Sequence, residues 1–200
     1  MATHLFEETE IHFAYSALHR FFDVYGLSDA LQSIESDLLA ATTHKVWKRK
    51  APGELLFFTE NLEALCKTVF DINGGHAKPR GAKTAVSADG IPDISATQHF
   101  TNSHYHSNAW ANFPRSITAA QYHVPYMVLT RFCNYIPVRE WKKFIKEMLE
   151  YALGNDTIEE GSPGYDILKI RLRLSQMVEA AHLIDVRVHE KKLSAPGDSI

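Results

Sequence analysis

The feature that most constrains this chain is an apolar repeat near its carboxyl terminus. Between Ile167 and Val188, apolar residues recur at alternating spacings of three and four, which is the seam of a left-handed helical bundle. The residues of this seam are Ile167, Ile170, Leu174, Met177, Ala181, Ile184 and Val188. Other apolar residues, among them Leu172 and Leu183, cover further sides of the same helix. Because a helix that is apolar nearly all round is buried, we expect this segment to lie at the centre of the fold.

The rest of the chain predicts further helices, separated by glycine and proline. Apolar residues at helical spacing fill the intervals, and the breaks fall at Gly26, Pro52, Gly74, Pro137, Gly154 and Pro163. A further helical pattern runs from about 117 to 135, where Ser116 is a candidate cap and Pro125 forces a kink or a break. We therefore predict an all-α, single-domain bundle of about six helices over residues 1–192, with a flexible C-terminal tail at 193–200.

One long segment, from about 74 to 114, interrupts this helical pattern. It is rich in histidine, glycine and proline and shows no clear period. An irregular segment of this length is uncommon in a compact domain unless it has a role of its own or is disordered. Aromatic residues such as Phe100 and Trp110 favour partial order in its second half. We predict an irregular insertion draped over one end of the bundle.

Composition limits the function classes. The chain has 200 residues, 45% of them hydrophobic and 22% charged, as in an ordinary globular protein. Its formal net charge of -3 provides no basic excess to attract nucleic acid, which is not an expected partner. The basic run 44–50 is short, and we interpret it as a solvated loop with Trp47 turned inward. No membrane span is expected, because the uninterrupted apolar runs are short.

The two cysteines and the amino terminus indicate the compartment. Cys66 and Cys133 each stand among apolar residues, so both are interpreted as small buried hydrophobic side chains, although one disulfide between them is conceivable. The sequence has no cysteine framework, and its first residues lack the basic and apolar pattern of a secretory signal. We expect a soluble, cytoplasmic protein.

Polar residues on the last helix require an explanation, because that helix is otherwise apolar. Glu179, His182, Asp185 and His189 follow one another at spacings of three and four. At about 100° per residue, His182, Asp185 and His189 project within roughly 60° of one another. The pair Glu179 and His182 has the spacing by which bundle helices offer a carboxylate and an imidazole to one metal ion.

The first helix carries a similar row of polar residues. Glu8, His12 and His19 lie on it at helical spacing, followed by Asp23. If the first and last helices pack side by side, their imidazoles and carboxylates converge, and iron, manganese or zinc accept such ligands. The alternative is structural, because single histidines on helices are usually partly exposed or bonded to a carboxylate. Only one Glu-x-x-His pair occurs, whereas di-iron bundles use two.

The irregular segment contributes a second candidate site at His99, His104 and His106. His104 and His106 point the same way if the backbone is extended, and they then suit a shared ligand. One of the three is alternatively a general base, because imidazole titrates near neutral pH. No serine, cysteine or aspartate signature accompanies them, so a solvated loop is the competing interpretation.

Two function hypotheses follow, and whether the protein is an enzyme stays open. The first is a helical bundle that binds a metal ion or a small ligand through the polar rows of its first and last helices. The second is a non-enzymatic regulatory or interaction protein. In that case the long segment and the heptad face of the last helix serve a partner or a homo-oligomer. Contact between the first and last helices is the structural prediction that the first hypothesis needs.

Overall fold

The computed structural model is an assembly of α-helices. It describes the backbone of residues 2–44, 47, 51–76, 113–162 and 164–194, and the side chains of residues 13–44, 47, 51–74, 113–162 and 164–188. The predicted all-α class is confirmed, since the described residues form eight α-helices and no strand. None of these helices has the combination of length and apolar character needed to cross a lipid bilayer.

The helices follow one another along the chain with short connections wherever the connection is described. They are α1 (Ala2–Val24), α2 (Leu27–Ala41), α3 (Pro52–Asp71), α4 (Ala119–His123), α5 (Pro125–Cys133), α6 (Val138–Leu153), α7 (Ile158–Gly161) and α8 (Ile167–Ser194). A π-helical turn, Ile72–His76, continues α3. The two helices beyond the predicted number of about six come from the division of the predicted 117–135 helix into α4 and α5 and from the short helix α7.

Local chemistry explains where several helices begin. Pro52 occupies the first turn of α3, where its missing N–H has no helical partner to lose. The cap of α4 is Thr118 and not Ser116, because Thr118 and Gln121 exchange the two hydrogen bonds of a capping box. Pro125 then separates α4 from α5, so the predicted disturbance at this proline is a full break.

Helix α8 is central, as its apolar repeat predicts. It packs against α1, α2, α4 and α5. Five members of its heptad seam, Ile170, Leu174, Met177, Ala181 and Ile184, are buried in the core. The hypothesis that this heptad face serves a partner or a second copy is therefore wrong for these residues, because the face is already covered by the protein's own helices.

The other half of the core forms where α6 packs on α2 and α3. Trp141 of α6 is fully buried and stacks on Phe132 of α5, with 4.3 Å between the ring centroids. Trp47 packs partly buried against this core, which agrees with its predicted inward position. Its backbone N–H donates to the carbonyl of Ala152 at the end of α6. This bond holds the backbone of Trp47 against the end of α6.

Candidate functional site

The first and last helices meet, as the shared polar rows predicted. His19 on α1 approaches Asp185 on α8, with 3.2 Å between Nδ1 and a carboxylate oxygen. The other ring nitrogen lies 3.5 Å from an oxygen of Asp23, one turn along α1. One imidazole therefore lies between two carboxylates, one on each helix. The pairing of His19 with Asp185 and of Phe22 with His182 shows that the two helices run antiparallel.

His182 is enclosed in the packed interior one turn from this contact. Its ring meets the ring of Phe22 edge to face, with 4.9 Å between centroids. Burial lowers the pKa of His182 to about 4, because the charged imidazolium loses its hydration there. The side chain is therefore a neutral imidazole at neutral pH.

Glu179 is held by the chain itself. Its two carboxylate oxygens accept hydrogen bonds of 2.8–3.0 Å from the backbone N–H groups of Arg115 and Ser116. Gln176, one turn before it, donates to the carbonyl of Ser116 at 2.9 Å. Burial raises the pKa of Glu179, while these N–H donors act in the opposite direction. The geometry gives Glu179 an anchoring role, because it fixes the segment that leads into α4.

The predicted metal site is only partly covered by the described residues. Among the residues whose side chains are described, no group of three or more His, Cys, Asp or Glu side chains is arranged to hold a metal ion. The side chains of Glu8, His12 and His189 lie outside the described residues, and so do His99, His104 and His106. Their roles stay predictions. His19 with Asp185 is the one predicted combination whose contact the described residues establish.

A second site, not predicted from the sequence, lies between α2 and α3. It is an open cavity of about 500 Å³, which we call the α2–α3 pocket. Its described lining comes from the end of α1, one side of α2, Trp47 and the first turns of α3. The lining residues are Val24, Tyr25, Asp29, Gln32, Ser33, Ser36, Asp37, Trp47, Gly53, Glu54, Leu55, Phe57 and Phe58. The pocket thus combines aromatic rings with polar and acidic groups.

Aromatic rings form one wall of the α2–α3 pocket. Tyr25 meets Phe58 edge to face at 5.2 Å and lies tilted against Phe57 at 6.3 Å, both measured between centroids. Phe57 is exposed although it is a large apolar side chain. Aromatic side chains are common in the lining of ligand sites.

Carboxylates contribute acidic groups to the pocket lining. Asp37 is only 1% exposed on α2, and Asp29 and Glu54 line the same volume. Burial raises the pKa of the Tyr25 hydroxyl, and the charges of Asp37 and Glu54 raise it further. Both carboxylates therefore lie within electrostatic reach of the same ring. One sequence signal could have pointed here, because Asp37 falls on the apolar face of α2 between Ile34 and Leu38.

Compared with protein-family models, with curated protein sequences and with solved structures, the chain matches none of them. Function is therefore inferred from these two sites: the polar groups of the α1–α8 contact and the α2–α3 pocket.

Proposed function

We propose that this protein binds a small organic molecule in the α2–α3 pocket. The observation that carries the proposal is the cavity itself, about 500 Å³ and lined by Tyr25, Phe57 and Asp37 among others. Ligand pockets commonly enclose roughly 300–1,000 Å³, with an aromatic or apolar lining and a few polar groups that orient the ligand. The α2–α3 pocket has both the size and this mixture.

The α1–α8 contact supports the same choice by contrast. His182 and Glu179 are buried, and the oxygens of Glu179 already accept backbone hydrogen bonds. His19 and Asp185 are hydrogen-bonded to each other across the two helices. These groups fit a structural role in joining the ends of the chain better than a role in binding. A metal ion at this contact would need a third ligand from Glu8, His12 or His189, and elemental analysis of untagged protein tests that hypothesis directly.

Gly53 offers a way to test the pocket without disturbing the fold. It lines the cavity in the first turn of α3, and a Cβ added there meets no atom within 4 Å. Leucine at this position therefore extends into open volume, while alanine adds only one methyl group. In a fragment screen by ligand-observed NMR, we expect hits that lose binding in Gly53→Leu and keep it in Gly53→Ala. Absence of hits, or hits that bind all three proteins equally, would contradict the proposal.

A second candidate is an interaction protein that uses the outer side of α8. Leu168 is 77% exposed and Leu172, one turn later, is 47% exposed. The ion pair between Arg171 and Glu35 of α2, at 2.7 Å, lies beside them. An oligomer formed there would use this outer side, because the heptad seam faces the core. Light scattering of the wild type and of Leu168→Glu tests this candidate, and a wild-type monomer at high concentration would exclude the homo-oligomer.

A further inference from the structure

The aromatic wall of the α2–α3 pocket is suited to positive charge. The face of an aromatic ring carries negative potential, and ammonium groups bind over such faces. The ring centroid of Tyr25 lies 6.3 Å from that of Phe57 and 5.2 Å from that of Phe58, and all three residues line the cavity. Rings that share one open volume form the kind of partial cage that binds alkylated ammonium groups in proteins.

The acidic residues of the pocket also favour a positively charged ligand. Asp29, Asp37 and Glu54 line it, and none of the described lining residues is cationic. Asp37 lies in the deep part of the wall, because it is almost completely buried. A carboxylate at low dielectric acts more strongly on a nearby ligand charge than one in bulk water. Three carboxylates in the lining favour a cationic ligand over an anionic one.

We infer that the α2–α3 pocket takes a compact organic cation, a protonated or quaternary ammonium group on a short apolar body. This inference rests on the proposed function and specifies its ligand class. The ammonium group lies over the rings near Asp37 and Glu54, and the apolar body fills the remaining volume beside Leu55. A bare metal cation is a poor match, since the described side chains include no group of three His, Cys, Asp or Glu arranged to hold a metal ion.

The charge requirement is tested with two probes of the same shape. Choline and 3,3-dimethyl-1-butanol have nearly the same size, but only choline is charged. By isothermal titration calorimetry or NMR titration, we expect choline to bind at least about ten-fold more tightly than the neutral isostere. Raising the salt concentration from about 50 to 500 mM should weaken choline binding and leave the isostere unchanged.

Two glutamates on α3 provide a matched pair of variants. Glu54 lines the pocket, whereas Glu60 is also exposed on the same helix and does not line it. Both Glu→Gln changes remove one negative charge, so any difference between them reports position. We expect Glu54→Gln to weaken choline binding several-fold and Glu60→Gln to leave it within about two-fold of wild type, with unchanged circular dichroism in both.

The outcomes separate this inference from the proposed function. Equal binding of choline and its isostere would overturn the inference, while the pocket would still be a ligand site. Failure of both probes would also overturn the inference, and the fragment screen with Gly53→Leu would then decide the proposed function alone. Equal loss of choline binding in Glu54→Gln and Glu60→Gln would place the cation elsewhere and contradict the inference.

Discussion

Two buried carboxylates in this molecule lead to different conclusions. Glu179 on α8 is 0% exposed and Asp37 on α2 is 1% exposed, so burial alone does not distinguish them. Glu179 accepts hydrogen bonds from two backbone N–H groups of its own chain. Asp37 lies in the wall of an open cavity, beside aromatic rings and two further acidic residues. Of the two carboxylates, only Asp37 adjoins open volume, and the proposed ligand site rests on that difference.

The largest expected effect tests the anchoring role of Glu179. In Glu179→Ala, the backbone N–H groups of Arg115 and Ser116 lose their hydrogen-bond acceptor. Each unsatisfied N–H costs about 2 kcal/mol, so we expect the free energy of unfolding to fall by about 4 kcal/mol. Glu179→Gln keeps one acceptor oxygen and should lose less. Urea denaturation measures both. Glu150→Ala, at an exposed position on α6, is the control and should change stability by less than about 0.5 kcal/mol.

If Glu179→Ala unfolds at the same urea concentration as the wild type, the anchor contributes little. The distinction between the two carboxylates would then disappear, and Glu179 would again be a candidate ligand.

The next effect concerns pH and His182. Its folded-state pKa is about 4, against an ordinary value of 6.5, so the unfolded chain binds the proton more readily. The contribution of His182 to the free energy of unfolding is therefore complete above about pH 6.5. It decreases by roughly 3 kcal/mol in total as the pH falls from there to about 4. In His182→Gln this contribution is absent. Urea denaturation at several pH values measures how steeply the free energy of unfolding depends on pH in the wild type and in His182→Gln.

A wild type and a His182→Gln variant with parallel pH dependence would show that His182 is hydrated in the folded protein. The α1–α8 contact would then be accessible to ligands, which is the opposite of the closed site described above.

Several of these features could be predicted from the sequence, because they depend on the period of one helix. The heptad seam predicts the central position of α8, and the polar rows with His19 and Asp185 predict that α1 lies beside it. The partner of Glu179 could not be predicted in this way. Its hydrogen bonds are made to backbone atoms 63 and 64 residues earlier in the chain, in a stretch without helical period.

The α2–α3 pocket could not be predicted because it is a volume between elements and not a property of any one of them. Tyr25 and Phe57 each fit an ordinary helix pattern. Only the packing of α2 against its neighbours and the position of Trp47 leave the space between them open. A carboxylate on an apolar helix face, as at Asp37, indicates that the buried group interacts with a polar partner. It does not say whether the partner is protein or ligand.

A smaller effect tests the contact between α1 and α8. Asp185 is largely buried and faces the half-exposed His19, whereas Asp23 approaches the same imidazole from an exposed position. We expect Asp185→Asn to cost about 1 kcal/mol of stability and Asp23→Asn less than about 0.5 kcal/mol, since solvent screens the exposed pair. Thermal unfolding measures both. Equal losses would indicate that the two pairs are equally solvated.

The smallest effect has the opposite sign and belongs to the pocket. Gly53 has open space around an added Cβ and stands in the first turn of α3, so Gly53→Ala should stabilise the fold by about 0.5–1 kcal/mol by restricting the unfolded chain. Gly164 is the control, because its φ of 127° disfavours any side chain, and Gly164→Ala should destabilise. Differential scanning calorimetry measures both changes. A destabilised Gly53→Ala would mean that the pocket is more closed in solution, and leucine at this position would then no longer be a clean test of ligand binding.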